Sequence, residues 1–451
     1  MSYVLRTSLA LALAAGLAVP AAASAAVPTE KASVSTSVAS AAISTAATND
    51  SFFTYTGSKP LSSYAPGAVL DTRTIKYSVS GIKLPINVVQ ILYRTTDMQG
   101  RPSANVTSVL KPPVAKNPER VVAYGSMYDS LDPKDGPSYT IAGAGTPMVH
   151  IESLVLSTFL AKGNTIVMAD TEGATANFMA GPEYGYTTLD SMRAVLATPS
   201  TGVPANKARI GLVGYSGGSI ATNWAAALAP TYAPEINKLL VGAAEGGVLV
   251  NPATNLDYIS GSTIWAGVLP MAFIGVSRAL DIDFTPYLND YGKQVLTKLK
   301  YAPITDVLGT YSGLTWKKLA KPEYANPASI PEYPNAVNKL NLGLQPSPTV
   351  PMFIGQGTVG LIEGTLGNKA GVGGGDGVMV AGDVRTLARQ YCSSGTNVKY
   401  TQYPLSHFTA AVLWIPQAIS WIDARLKGTT KPVSNCGSIA KGNSLAPVVA
   451  P

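Results

Sequence analysis

The chain has 451 residues, of which 46% are hydrophobic and 13% charged, and a formal net charge of +7. The positive excess is scattered rather than gathered in a basic stripe with interleaved aromatics, which argues against a nucleic-acid-binding surface. The low charge density fits an extracellular protein that works near apolar material. At the N-terminus, Arg6 is the only charge before Glu30, an apolar run covers residues 9–19, and Ala23-Ser24-Ala25 offers a cleavage site. This is the pattern of a signal peptide over residues 1–25. The run is too short for a stop-transfer helix, and no later stretch is long and apolar enough to span a bilayer. The mature protein is therefore expected outside the cell, free or at the envelope, without stable membrane insertion. Cys392 and Cys436 both survive cleavage. In an oxidising compartment the simplest expectation is one disulfide pinning the C-terminal tail, contributing roughly 3–4 kcal/mol by loop closure.

Residues 26–51 form a Ser/Thr/Ala-rich lead-in without apolar periodicity. Strand-like runs follow between 68 and 110, clearest at 87–94 and 104–110, with a turn at Gly100-Arg101-Pro102. A short buried strand is predicted at 120–124. The pattern then alternates: helix 148–161, strand 165–169, helix 184–196, a strand from Ile210, a helix to Leu228, and strand 238–243. Such alternation predicts an α/β fold, a mostly parallel sheet with helices on both faces. From 251 to 347 the chain is rich in Pro, Tyr and Leu, with helical pieces at 263–278 and 286–299, and reads as an inserted cap. Alternation resumes with strand 350–354, a glycine-rich loop, helix 378–391, strand 398–403 and helix 408–426. The core is thus expected over 52–250 and 348–427, with a tail over 428–451.

Within the central alternation stands Gly214-Tyr215-Ser216-Gly217-Gly218, between an apolar strand and a helix-forming run. Gly-x-Ser-x-Gly in a strand–turn–helix context is a nucleophile elbow, with the serine hydroxyl held above the sheet at a helix N-terminus. A serine needs a base to take its proton, and histidine is the usual one. Only His150 and His407 are available. His150 precedes the serine at the start of a helix and reads as structural. His407 follows a C-terminal strand, as the Ser–acid–His order of α/β-hydrolases requires. The acid belongs on the loop 355–377, which offers Glu363 and Asp376. Asp376 also suits a helix N-cap, and Glu363 lies closer to the strand end. Asp383 reads as a solvated helix residue, and Asp170 and Glu172 as structural. An oxyanion hole would combine the N–H of Gly217 with one from the loop 125–130.

These segments, with Pro66-Gly67-Ala68-Val69-Leu70, Tyr128-Asp129-Ser130, Gly136-Pro137-Ser138-Tyr139, Ala169-Asp170-Thr171-Glu172-Gly173, Leu189-Asp190-Ser191-Met192-Arg193-Ala194 and Tyr391-Cys392, carry a resemblance. Over residues 52–426 the chain resembles the secretory lipase family of fungi and actinobacteria, the Candida lipase A type. The resemblance implies an α/β-hydrolase with an α-helical cap that hydrolyses carboxylic esters, often triacylglycerols. It implies Ser216 as nucleophile, His407 as base, and oxyanion donors at Asp129 and Gly217. Family members carry a short Gly-Thr-x-Asp-type segment after the strand before the acid. Here Gly355-Gln356-Gly357-Thr358 runs into an extended loop instead. The separation 407 − 376 = 31 positions is similar to the family's and favours Asp376 over Glu363.

The sequence thus predicts a secreted serine hydrolase acting on lipid esters through Ser216, His407 and Asp376. Contact with a lipid interface would be transient, and neither cofactor nor metal is implied. A serine peptidase or acyltransferase on the same fold, or a non-catalytic lipid-binding surface protein, are the competing readings.

Overall fold

A computed structural model describes residues 50–79, 81–113, 117–143 and 148–451. The signal segment 1–25 and the lead-in, apart from Asp50 and Ser51, lie outside the described residues. Asp50 caps the turn Ser51–Phe53, accepting from the Phe52 N–H at 3.1 Å, and pairs with Arg73 on the first strand.

Nine strands form one mixed sheet in the order β1-β2-β3-β5-β4-β6-β7-β8-β9. β1 (Val69–Val79), β2 (Ile82–Thr96) and β3 (Pro102–Leu110) are an antiparallel edge. The β2–β3 hairpin closes where the sequence predicts, with Gly100 at φ 81 and its N–H bonded to Asp97 O. β5 (Thr165–Ala169), β4 (Arg120–Gly125), β6 (Arg209–Tyr215), β7 (Leu240–Gly246), β8 (Met352–Gly357) and β9 (Val398–Tyr403) are mutually parallel.

Helices cover both faces, so the central strands read as continuous apolar runs. On one face lie α3 (Gly181–Ala197), α4 (Gly217–Tyr232) and α9 (Ala381–Ser393), packed on Val121, Ile210, Leu212, Met352 and Ile354. On the other lie α2 (Met148–Ala161) and α10 (His407–Lys427), packed on Val122, Val213, Tyr215 and Phe353. The alternation along each strand is the period-two rule at work. α1 (Pro137–Ala142) is a short helix before α2. His150 lies in the first turn of α2, and its side chain is outside the described part of the structure.

Between β7 and β8 the chain adds no strand to the sheet. It forms α5 (Pro252–Ile259), α6 (Val268–Leu280), α7 (Asp290–Leu299) and α8 (Tyr333–Lys339), with shorter turns between. Several boundaries differ from the sequence expectation for local reasons. Lys238 and Leu239 end the turn Pro234–Asn237, with the Leu239 N–H on Ile236 O, so β7 starts at Leu240. α9 starts at Ala381 because Asp376 folds residues 376–380 into a tight turn first.

Trp414, in the middle of α10, is 2% exposed and seats that helix on the sheet. Its ring lies 5.3 Å from Tyr215 and 6.3 Å from Phe353. A Cβ at Gly355 would come within 2.1 Å of the indole, so the strand must be bare there. α10 carries His407 at its start, and this packing therefore sets where the histidine stands. Cys392, at the end of α9, is disulfide-bonded to Cys436 in the tail, with Cα atoms 5.7 Å apart.

Candidate active site

Ser216 sits between β6 and α4 with φ 54 and ψ −122, a conformation that costs a side-chain-bearing residue on the order of 1–3 kcal/mol. The surroundings over-determine it. Its N–H donates to Gly246 O at 2.9 Å, and its carbonyl accepts from the Ser219 hydroxyl at 2.6 Å. A Cβ at Gly214 would lie 2.0 Å from Gly218 O, and one at Gly218 would lie 2.1 Å from Gly125 O. Both glycines are required by close backbone approach.

His407 is the first residue of α10, after Ser406, whose side chain forms a capping box with Thr409. Its N–H donates to Asp376 O at 2.7 Å, and its carbonyl accepts from Tyr215 OH at 2.6 Å. The His407 backbone is thus held from β6 and from the β8–α9 loop. Nε2 lies 2.8 Å from Ser216 Oγ, and Nδ1 lies 2.8 Å from Asp376 Oδ2. Burial pushes the imidazole pKa down. The Asp376 carboxylate, with Glu363 and Asp129 behind it, more than reverses that, and the net shift is upward from 6.5.

Asp376 is fully buried and uses each oxygen differently. Oδ1 accepts from the N–H groups of Val378 (3.1 Å) and Met379 (2.7 Å). Oδ2 accepts from Gln356 Nε2 at 2.9 Å and faces the imidazole. It is a turn residue and the histidine's partner at once, not the N-cap of α9, which is Val380. Glu363 does not touch the ring. Its oxygens bind the Phe408 N–H at 2.9 Å and Trp265 Nε1 at 2.7 Å. Asp383 corrects the sequence expectation of a solvated residue. It is 1% exposed, bonded to Thr254 and Asn443, and burial raises its pKa to about 6. The tail residue Asn443 and the helix α5 residue Thr254, both distant in sequence, cover it.

The loop after β4 brings Asp129, at φ 36, against the elbow. A Cβ on Gly217 would overlap Asp129 Oδ1 at 1.7 Å. Gly217 opens α4, where a helix leaves its first N–H groups without internal partners. Burial raises the Asp129 carboxyl to about 7, with His407 opposing. Two buried carboxylates fix this loop from below. Glu152 on α2 accepts from Ser126 Oγ (2.5 Å), the Met127 N–H and Tyr124 OH (both 3.1 Å). Glu172 accepts from the Ser130 N–H at 3.2 Å and Tyr184 OH at 3.0 Å. Asp170 accepts from the Ser138 N–H at 2.8 Å. The sequence reading missed Glu152, Gln356 and Trp265. A single acid in the apolar run of α2 was the available signal for the first.

Above Ser216 is a cavity of about 30 Å³ with apolar walls that include Phe178, Met179, Leu256, Ile259 and Trp265. No helix among the described residues is long and apolar enough to cross a membrane.

The secretory lipase sequence profile matches residues 140–435. The chain belongs to the secretory lipase family. Its relatives include Lipase 2 of Candida albicans, 30% identical over 403 residues, covering 84% of this chain and 81% of that protein. Lipase A of Arthroderma benhamiae is 31% identical over 390 residues, covering 81% and 77%. Among solved structures, Candida antarctica lipase A in its closed state superposes with a TM-score of 0.75 at 25% identity, covering 88% of this chain and 90% of that one. A rice cell wall degrading esterase from Xanthomonas oryzae shares the fold, with a TM-score of 0.61 at 16% identity, covering 81% and 100%. As a member of this family the chain is an α/β-hydrolase and a carboxylic ester hydrolase.

Proposed function

We propose that the protein is a secreted serine lipase that cleaves fatty-acyl esters such as triacylglycerols through Ser216, His407 and Asp376. The observation that carries the reading is the unbroken line from Ser216 Oγ through His407 to Asp376, with 2.8 Å at each step. Nε2 takes the serine proton as Oγ attacks the ester carbonyl. Asp376 holds the proton on Nδ1 and stabilises the imidazolium. The N–H groups of Gly217 and Asp129 receive the oxyanion. His407 returns the proton to the leaving alcohol, and water then attacks the acyl-enzyme with the same base. The step needs neutral His407, so activity falls as pH drops through the raised imidazole pKa.

An apolar acyl chain would run from Ser216 into a set of adjoining cavities by parting the apolar walls of the two small ones. The first shares Met179 and Leu256 with a second of about 20 Å³, which shares Phe273 and Tyr333 with a third of about 450 Å³. α5 and α6 contribute to all three walls and α8 to the last two, and these helices act as the cap that selects the chain. The signal-like segment 1–25, the disulfide and the family's name support export. A fluorescent alkyl phosphonate tests the reading: it should label the wild type at Ser216 with one-to-one stoichiometry and leave Ser216→Ala unlabelled. Labelling elsewhere, or none, would remove the triad.

A further inference from the structure

The extended loop before Asp376 buries a second carboxylate beside the base. Residues 358–375 contain a single acid, Glu363. It ends the turn Gly360–Glu363, whose Leu361 and Ile362 are 65% and 68% exposed, yet Glu363 itself is 3% exposed. A carboxylate in such a place is costly unless bonded, and each of its oxygens is used on a different wall of the site. Oε1 accepts from the N–H of Phe408, the residue after the base, in the first turn of α10. Oε2 accepts from the indole N–H of Trp265. That ring lines the cavity at Ser216 and stands edge-on to the imidazole, with centroids 5.2 Å apart and planes at 83°. The third contact is with the loop that carries the acid. Gly377 has φ 129, and a Cβ there would lie 2.6 Å from Glu363 Oε2.

We propose that Glu363 is a positioning residue of the hydrolytic site: it locks the His407 turn, the Asp376 loop and the Trp265 wall together, and keeps a second negative charge behind the imidazole while the ring holds the serine proton. This rests on the reading of Ser216, His407 and Asp376 as the triad. An apolar side chain would fill the same space without the burial cost, so packing alone does not explain a carboxylate. The charged groups that face His407 are Asp376 and Glu363 from the β8–α9 loop and Asp129 from the loop after β4, while Tyr215 offers its hydroxyl to the His407 carbonyl. Of the three carboxylates, Glu363 ranks after Asp376 and ahead of Asp129 in favouring the protonated ring. Burial raises the Glu363 carboxyl pKa, and His407 with the donors from Ser406, Phe408 and Trp265 opposes that rise.

Glu363→Gln removes the charge and turns one acceptor oxygen into an NH₂ that faces the Phe408 or Trp265 N–H, whereas Glu363→Asp keeps the charge and withdraws it by one methylene. For E363Q we expect kcat to fall about tenfold with KM within about twofold, and the acid limb of kcat/KM to move to lower pH by about half a unit or more. In E363D the acid limb should return toward the wild-type position even though kcat stays reduced. A folded E363Q enzyme with wild-type kcat and acid limb overturns the proposal. So does equal loss in E363Q and E363D with an unmoved acid limb, which is what a purely structural residue gives. If E363Q does not fold, E363D decides through its pH profile: a lowered kcat with the acid limb displaced part-way to lower pH supports the role, and an acid limb at the wild-type position overturns it. Phosphonate labelling of the wild type separates the two readings. Absent labelling removes the triad itself, whereas normal labelling with an indifferent Glu363 removes only this role.

Discussion

Replacing Asp376 with Asn exchanges one atom and one charge, and the neighbours dictate how the amide sits. Oδ1 accepts two backbone N–H bonds, from Val378 and Met379, so the amide oxygen must stay there. The NH₂ then takes the place of Oδ2, 2.8 Å from His407 Nδ1 and 2.9 Å from Gln356 Nε2. It can only donate, so Nδ1 becomes an acceptor and the ring proton moves to Nε2. That proton points at Ser216 Oγ, 2.8 Å away, and nothing remains to accept the serine's own. A base locked in the wrong tautomer loses on the order of 10⁴ in kcat, about 5 kcal/mol of barrier. The assay is steady-state hydrolysis of a chromogenic ester by wild type, D376N and D376A, each checked for its thermal midpoint. D376N should be folded and close to inactive. D376N within about tenfold of wild type would refute the tautomer reasoning and place the acid elsewhere.

Three further outcomes concern the scaffold. Burial raises Glu245 in β7 to about 8, above the ordinary 4.5, so between those values the native state keeps a proton that the unfolded chain has lost. Its contribution to stability therefore falls as pH rises, by about 1.4 kcal/mol or roughly 2 °C per pH unit for a chain of this size. Glu245→Gln should flatten the slope, and a midpoint difference between the two proteins that is constant from pH 5 to 8 would refute this. Gly218→Ala places a Cβ 2.1 Å from Gly125 O and should destabilise by about 1–3 kcal/mol with loss of activity, whereas Gly437→Ala meets nothing within 4 Å and should be silent in both assays. Removing the disulfide with Cys392→Ser and Cys436→Ser opens a loop of 44 positions and should cost about 4 kcal/mol, a drop of roughly 5 °C by calorimetry. An unchanged midpoint would show that the tail's other contacts already hold it.

Much of this site is legible in the sequence because its parts obey local rules. The elbow needs small residues at fixed offsets from Ser216, and with only two histidines elimination reaches His407. The acid was harder to read. Asp376 and Glu363 share one glycine-rich loop, and periodicity says nothing about which carboxylate a loop turns inward. What separates them is the Val378–Met379 turn that aims one oxygen of Asp376 at Nδ1 and the Phe408 and Trp265 donors that claim both oxygens of Glu363. Asp383 misleads for a related reason. An acid in a first helical turn reads as solvated, and its cover comes from Asn443, 60 positions away. Contacts between distant segments, such as Glu152 beneath the loop after β4, leave no spacing in the chain to read.

The central claim is that ester cleavage runs through Ser216 on acyl chains that enter the cavities adjoining it. The most direct test is hydrolysis of p-nitrophenyl esters from acetate to palmitate by the mature protein beside Ser216→Ala. The account predicts activity that persists or rises toward the long chains and vanishes across the series in the variant. Undiminished hydrolysis by Ser216→Ala would contradict the mechanism, and wild-type activity confined to the shortest esters would contradict the acyl-chain assignment.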